Sequence, residues 1–259
     1  MTSPLTLATW NVNGVRARLE RVVDWLSQHP VDVLCMQESK APDDQFPASA
    51  FESLGYRVAL HGQKSFNGVA LISRFEMQDI YRGLQGDAQA RLIGATIEQV
   101  RVFSAYFPNG QSLDSDKYVY KLEWMRKLQA LLREEIGKYP NIALCGDFNV
   151  APEPRDTYDP TVWEGNILCS ERERNALADL RSLGLFDAFR ALHPDEIAFT
   201  WWDYRALGFP KNHGLRIDHA YVTHPLLARV ESVRIDREAR KGKQPSDHAP
   251  LVMTLGVSS

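Results

Sequence analysis

Cysteine is scarce and unpatterned in this chain. Cys35, Cys145 and Cys169 are the only three, and none stands in the Cys-x-x-Cys spacing of zinc or redox sites. Cys35 and Cys145 sit inside apolar runs, which predicts buried, reduced thiols. An odd count argues for a reducing compartment. Long apolar runs are missing too. None approaches the ~18 residues of a membrane-spanning helix, and no basic stretch followed by an apolar one marks a signal peptide at the N-terminus. The expectation is a cytoplasmic protein with no membrane partner. Linker-like Ser/Gly tracts, low-complexity segments and repeats of roughly 20–50 residues are absent, which leaves 1–259 as one domain.

Positive charge is not in excess. The chain carries 30 Lys and Arg against 33 Asp and Glu, a net charge of −3. That excludes the global basicity of many nucleic-acid binders. Any attraction for phosphate must come from local patches: Lys64, Lys117 with Lys121, Arg205 with Lys211, and the run Arg237–Lys243. No Walker-type Gly-rich loop, Gly-x-Ser-x-Gly elbow or dinucleotide fingerprint occurs. ATP hydrolysis, serine hydrolysis and zinc chemistry lose their commonest sequence support.

What the chain does have is a set of short apolar runs with polar side chains at one end. Leu5–Trp10 leads into Asn11-Val12-Asn13-Gly14, Val31–Met36 into Gln37-Glu38, and Ile142–Cys145 into Gly146-Asp147-Phe148-Asn149. Late in the chain the order reverses. Asp218 precedes Ala220–Val222, and Ser246-Asp247-His248 precedes Leu251–Leu255. Strands that end in such groups, and antiparallel strands that begin with them, can share one edge of a sheet. Further strand-like runs are Tyr56–His61, Gly68–Ser73, Met77–Tyr81, Arg91–Ile97, Arg101–Tyr106, His219–Thr223 and Val230–Ile235. Helical periodicity marks Arg16–Gln28, Ser115–Lys138 and Glu171–Leu183. In Ser115–Lys138 the stripe is Leu122, Met125, Leu128, Leu131, Leu132 and Ile136. The pattern predicts an α/β (α+β) protein, a four-layer αββα sandwich of two packed mixed sheets flanked by helices.

Alternation along an extended segment puts Asn11 and Asn13 on one side, and likewise Asp147 and Asn149, with Phe148 turned into the core. Glu38 closes an apolar run, where a carboxylate needs a partner. One reading is a salt bridge to Lys40 or an Arg. The other is a ligand for Mg²⁺, which takes one or two carboxylates and keeps several waters. His248 has two candidate partners, Asp247 beside it and Asp218 at a strand start. An Asp accepting from one ring nitrogen would fix the tautomer. Tyr106 and Asn109 offer donors to a phosphate oxygen, or else stabilise a turn. Trp201, Trp202 and Tyr204 form either core or a stacking platform, with Arg205 and Lys211 nearby for phosphate. His29, His61, His193 and His224 read as surface or structural.

Together these residues resemble the exonuclease III family of apurinic/apyrimidinic endonucleases, within the endonuclease/exonuclease/phosphatase superfamily. The resemblance runs from about Leu5 to Leu255. Its carriers are Thr9–Gly14 with Arg16, Gln37–Lys40, Asn67–Ala70, Tyr106–Gly110, Gly146–Asn149, Asn212–Asp218 and Ser246–Pro250. It implies Mg²⁺-dependent cleavage of DNA phosphodiesters, with Mn²⁺ as a substitute, by a monomer acting on duplexes with abasic sites or 3′ ends. Glu38 would hold the metal, helped by Asn11 and Asp247. Asp147 would orient or deprotonate the attacking water. Tyr106, Asn109 and Asn149 would contact the scissile phosphate, and His248 with Asp218 would stabilise developing charge. Trp201, Leu215 and Ile217 would line a pocket for a base-less sugar. Asn166, in the stretch Asp159–Ser170 near the cleft, would touch phosphate, and that stretch would shift preference between internal sites and 3′ ends. The competing readings are a superfamily phosphatase acting on a non-nucleic phosphoester, and a DNA-binding protein without catalysis.

Overall fold

The computed structural model describes residues 3–257. The strands in chain order are β1 (Leu5–Asn11), β2 (Val33–Gln37), β3 (Arg57–His61), β4 (Val69–Ser73), β5 (Gln78–Arg82), β6 (Leu92–Ile97) and β7 (Val100–Tyr106). They continue with β8 (Ile142–Asp147), β9 (Leu185–Asp187), β10 (Trp201–Trp202), β11 (Gly214–Leu215), β12 (Asp218–Thr223), β13 (Val230–Ile235) and β14 (Leu251–Leu255). Two six-stranded mixed sheets result, ordered β13-β14-β1-β2-β4-β3 and β5-β6-β7-β8-β12-β9.

Alternation explains how the sheets stack. In β1, Leu5 and Leu7 face the second sheet while Ala8 and Trp10 face outward. In β8, Ala143 and Cys145 face the first sheet while Ile142 and Leu144 face outward. Helix α1 (Leu19–Gln28) covers the first sheet with Val22, Trp25 and Leu26. On the far face, α2 (Asp116–Ile136) and α3 (Glu171–Arg181) cover the second sheet. The layers are therefore αββα, as the pattern predicts.

Three details differ from the sequence expectation. Residues 16–18 form turns ahead of α1, with the Arg18 guanidinium bonded to the Asn13 carbonyl. The buried face of α2 is rotated to take in Lys121, Trp124 and Glu135, while Leu122 and Leu131 are only half-buried. Lys121 is thus no part of an exposed basic patch. Strands β9, β10 and β11, of two or three residues, are too short to show a period.

Register brings the polar ends together. Parallel pairing sets Asn11 beside Gln37 and Tyr106 beside Asp147. Antiparallel pairing sets Asp218, the first residue of β12, beside Asp147, the last of β8. Gly146 permits this, because a side chain there would collide with the Ala105 carbonyl. All free cysteines are buried, as expected.

Candidate active site

Two matching turns build the floor of the cleft. The Asn11 side-chain oxygen accepts from the Asn13 backbone N–H at 3.0 Å, and the Asp147 carboxylate accepts from the Asn149 N–H at 2.9 Å. Both second residues take left-handed backbone, φ 49° in each case, a conformation that Asn tolerates. The first side chain of each pair therefore bonds the backbone of the second; Asn149 also reaches Asp147 with its side chain, whereas Asn11 and Asn13 turn to different partners, Glu38 and Asp147 against Asp247 and Lys40, unlike the strand alternation read from sequence. Phe148 is fully buried against Phe107, as expected.

The Asn11 amide bridges Glu38 Oε1 at 2.8 Å and Asp147 Oδ2 at 2.9 Å. Glu38 Oε2 accepts from Lys40 Nζ at 2.9 Å, so the salt-bridge reading describes this carboxylate as well. His248 Nδ1 bonds Asp218 Oδ2 at 2.8 Å, and its Nε2 lies 3.7 Å from Asp147 Oδ2. Ser246, bonded to the Asn11 carbonyl, and Trp10, bonded to the His248 carbonyl, tie this segment to β1. Ligand atoms of Glu38, Asp147 and His248 all lie within 4.8 Å of one another.

Asp247 sits differently. Its two oxygens accept from Asn13 Nδ2 and Trp201 Nε1, each at 3.0 Å. Asn149 donates its amide to the Phe107 carbonyl and to Asp147 Oδ2, and accepts from Asn109 Nδ2 at 3.1 Å. The half-buried Trp201 packs with Leu215, Ile217 and Leu168 in one apolar cluster. Asn166 is exposed and donates its amide to the Val162 carbonyl. The Arg205 side chain is exposed and ion-paired with Asp203. Beside Tyr106 and Asn109 opens a groove of about 660 Å³, lined by Phe66, Arg91, Lys117 and Tyr120.

Burial pushes Asp147 up to about 7; the neighbouring Asp218 and Glu38 carboxylates add to the rise and His248 opposes it. Burial alone would lower His248, but Asp218 and Asp147 outweigh it and hold the imidazole up to about 10. Tyr106 is raised by burial and then by Glu38 and Asp147.

The sequence matches the family model described as Endonuclease/Exonuclease/phosphatase family over residues 8–248. It is 37% identical to exodeoxyribonuclease III of Haemophilus influenzae, over 94% of this chain and 97% of that protein. The chain belongs to the endonuclease/exonuclease/phosphatase family, in its exonuclease III branch. As a member of this branch it is a metal-dependent nuclease, a hydrolase. An exodeoxyribonuclease of Bacillus subtilis is 30% identical over 98% of this chain and 100% of that protein. Among solved structures, the 3′ phosphatase NExo from Neisseria, bound to a product DNA hairpin, superposes with a TM-score of 0.96. Its identity is 41%, covering 98% of this chain and 100% of that one. An AP endonuclease from Archaeoglobus fulgidus gives 0.93 at 39% identity, again over 98% and 100%.

The residues present fit the hard cation on which this nuclease branch depends. The Glu38 and Asp147 carboxylates converge on one Asn11 amide, with oxygens within 4.8 Å of each other, and two carboxylates with room left for water are what such an ion takes.

Sequence reasoning passed over a buried charge network behind the site. Arg216 bonds Asp156 and Asp187, each at 2.8 Å, and His219 Nδ1 at 3.0 Å. A guanidinium only donates, so Nδ1 accepts and His219 Nε2 donates to the Val150 carbonyl at 3.1 Å. The ring is neutral. Burial, then Arg216, lowers it to about 4 from 6.5. The unfolded chain then binds the extra proton, so this stability is complete above 6.5 and is lost as pH falls toward 4. At pH 5 the loss is about 2 kcal/mol. Urea unfolding at pH 7 and pH 5 should show His219→Gln losing correspondingly less than wild type. Equal losses would place the acid sensitivity elsewhere.

Proposed function

We propose that the chain cleaves DNA 5′ to abasic sites and also trims 3′ ends, as a monomeric single domain using Mg²⁺, with Mn²⁺ as a substitute. The observation that carries this reading is the convergence of Glu38, Asp147 and the His248–Asp218 pair at one sheet edge, beside the apolar Trp201, Leu215 and Ile217 cluster. Leu215 and Ile217 are buried, and the half-buried Trp201 is the member of the cluster that a base-less sugar would touch. The similar 3′ phosphatase from Neisseria, with its bound product DNA hairpin, supports DNA as the substrate class.

Glu38 and Asp147 would hold the cation, with Asn11, whose NH2 donates to both carboxylates, setting their spacing; Asp247 would act from further out, through Asn13. When bound, the ion supplies charge that offsets the phosphodiester. Asp147, buried at the meeting point of the site, would take a proton from the attacking water. Asn149 grips both Asp147 oxygens and so sets the direction of that base. His248, held up to about 10, stays a cation at neutral pH and faces the charge that develops on phosphorus. Tyr106 and Asn109 donate to the phosphate oxygens. Arg205 and Asn166 lie on the flanks, where swinging away from Asp203 and Val162 would let them meet DNA backbone.

The test is a matched assay on an internal abasic analogue, a 3′-phosphate and an undamaged recessed 3′ end, with Mg²⁺ and with Mn²⁺. Abasic incision is expected, with 3′ processing alongside. Hydrolysis of an inositol phosphate with none of the three DNA substrates cut would overturn the reading. Trp201→Ala should reduce abasic incision about tenfold or more relative to the other two, the loss of one apolar contact surface. Equal reductions on all three would make Trp201 core alone.

A further inference from the structure

Three segments meet behind Asp147: those carrying Asn109, Asn149, and Leu168 with Ser170. All three converge on one buried ion pair, Lys121 of α2 with Glu173 of α3, both with side chains fully enclosed. The Lys121 ammonium donates to the Asn149 carbonyl at 2.7 Å, to the Asn109 carbonyl at 3.2 Å and to Glu173 Oε1. Its three hydrogens are all used. Glu173 also accepts from the Leu168 N–H at 3.1 Å, the Ser170 N–H at 3.0 Å and the Ser170 hydroxyl.

Part of this network serves the fold: Glu173 and Ser170 form the capping box that starts α3. The bonds of Lys121 to two loop carbonyls are not needed for that cap. What they add is direction. Asn149 is held in left-handed backbone, and the fixed carbonyl partner keeps it there. From that position its N–H and its amide reach Asp147 Oδ1 and Oδ2, and its side-chain oxygen receives Asn109. We infer that Lys121, with Glu173, is a positioning residue for the hydrolysis: it pins Asn149 and Asn109 so that the Asp147 carboxylate and the Asn109 amide keep one orientation toward the phosphate. This rests on the roles given above to Asp147 and Asn109.

The test compares Lys121→Met/Glu173→Leu, which removes both charges, with Lys121→Arg, which keeps the pair but whose planar fork cannot meet three tetrahedral acceptors. Thermal midpoint, kcat and KM are measured on an abasic duplex with Mg²⁺, alongside Asn149→Ala. The expected result in every variant that folds is KM within about threefold and kcat lower by about ten- to a hundredfold, the cost of a misplaced group, with a lowered thermal midpoint in the double variant, where buried carbonyls and N–H groups lose their partners. A folded variant of either kind with kcat within twofold of wild type overturns the inference if Asn149→Ala is impaired. If Asn149→Ala turns over like wild type, the reading of Asn149 as the support of Asp147 fails, and the inference falls with it.

Discussion

Asp147→Asn is expected to lower kcat on an abasic duplex by at least about 10²–10⁴-fold, while DNA affinity changes by no more than a few-fold. The substitution keeps the shape of the side chain and removes the oxygen that can take a proton. It sits at the meeting point of the site. Asn11, the Asn149 N–H and the Asn149 amide all donate to it, and His248 lies 3.7 Å away. None of these contacts reaches a DNA flank, so binding should survive. Single-turnover cleavage with a parallel binding titration makes the comparison. Turnover near the wild-type rate would remove Asp147 from the chemistry.

His248→Asn is expected to lose a comparable factor, about 10²–10⁴-fold, and Asp218→Asn a smaller one with a distinct pH signature. Asp218 and then Asp147 are the groups that hold His248 up to about 10 against the opposing effect of burial. Without the Asp218 charge the imidazole gives up its proton at a lower pH. The ratio of Asp218→Asn to wild-type rate should therefore fall as pH rises from 6 to 9. The two residues act as one unit, so the double variant should be little worse than His248→Asn alone. Multiplying losses, or a ratio flat with pH, would separate Asp218 from His248.

How much of this was legible in the sequence depends on the kind of signal each residue leaves. Glu38, Asp147, Asp218 and His248 end or precede apolar strands, and strand pairing has few ways to arrange such ends. Their convergence could be read before the structure, with Asp218 and Asp247 both left as candidate partners of His248; the bond is made by Asp218. The turn chemistry at Asn11–Asn13 and Asp147–Asn149 was hidden, because Asp or Asn at the end of an apolar run suits an Asx turn and a continued strand alike. Lys121 was masked more thoroughly. A lysine on an amphipathic helix reads as solvent-facing, and nothing local marks Glu173, fifty-two residues away, as its partner. Arg216 and His219 fall in the same class, since their partners are distant in sequence, Asp156 in a short 3-10 turn and Asp187 at the end of β9. The exposed Arg205 and Asn166 hold only contacts within their own loops. A DNA contact from either lies outside what strand patterning can express.

The most direct measurement is incision of a duplex carrying one abasic analogue, end-labelled, by chelator-treated protein as Mg²⁺ is titrated back. If the cleft of Glu38, Asp147 and His248 is a cation-assisted phosphodiesterase, incision stops with chelator and returns with Mg²⁺. Glu38→Gln should then need much more Mg²⁺ for half-maximal rate, while Asp147→Asn should stay inactive at any concentration. Incision that persists without divalent ions, or a Glu38→Gln titration superimposable on wild type, would contradict it.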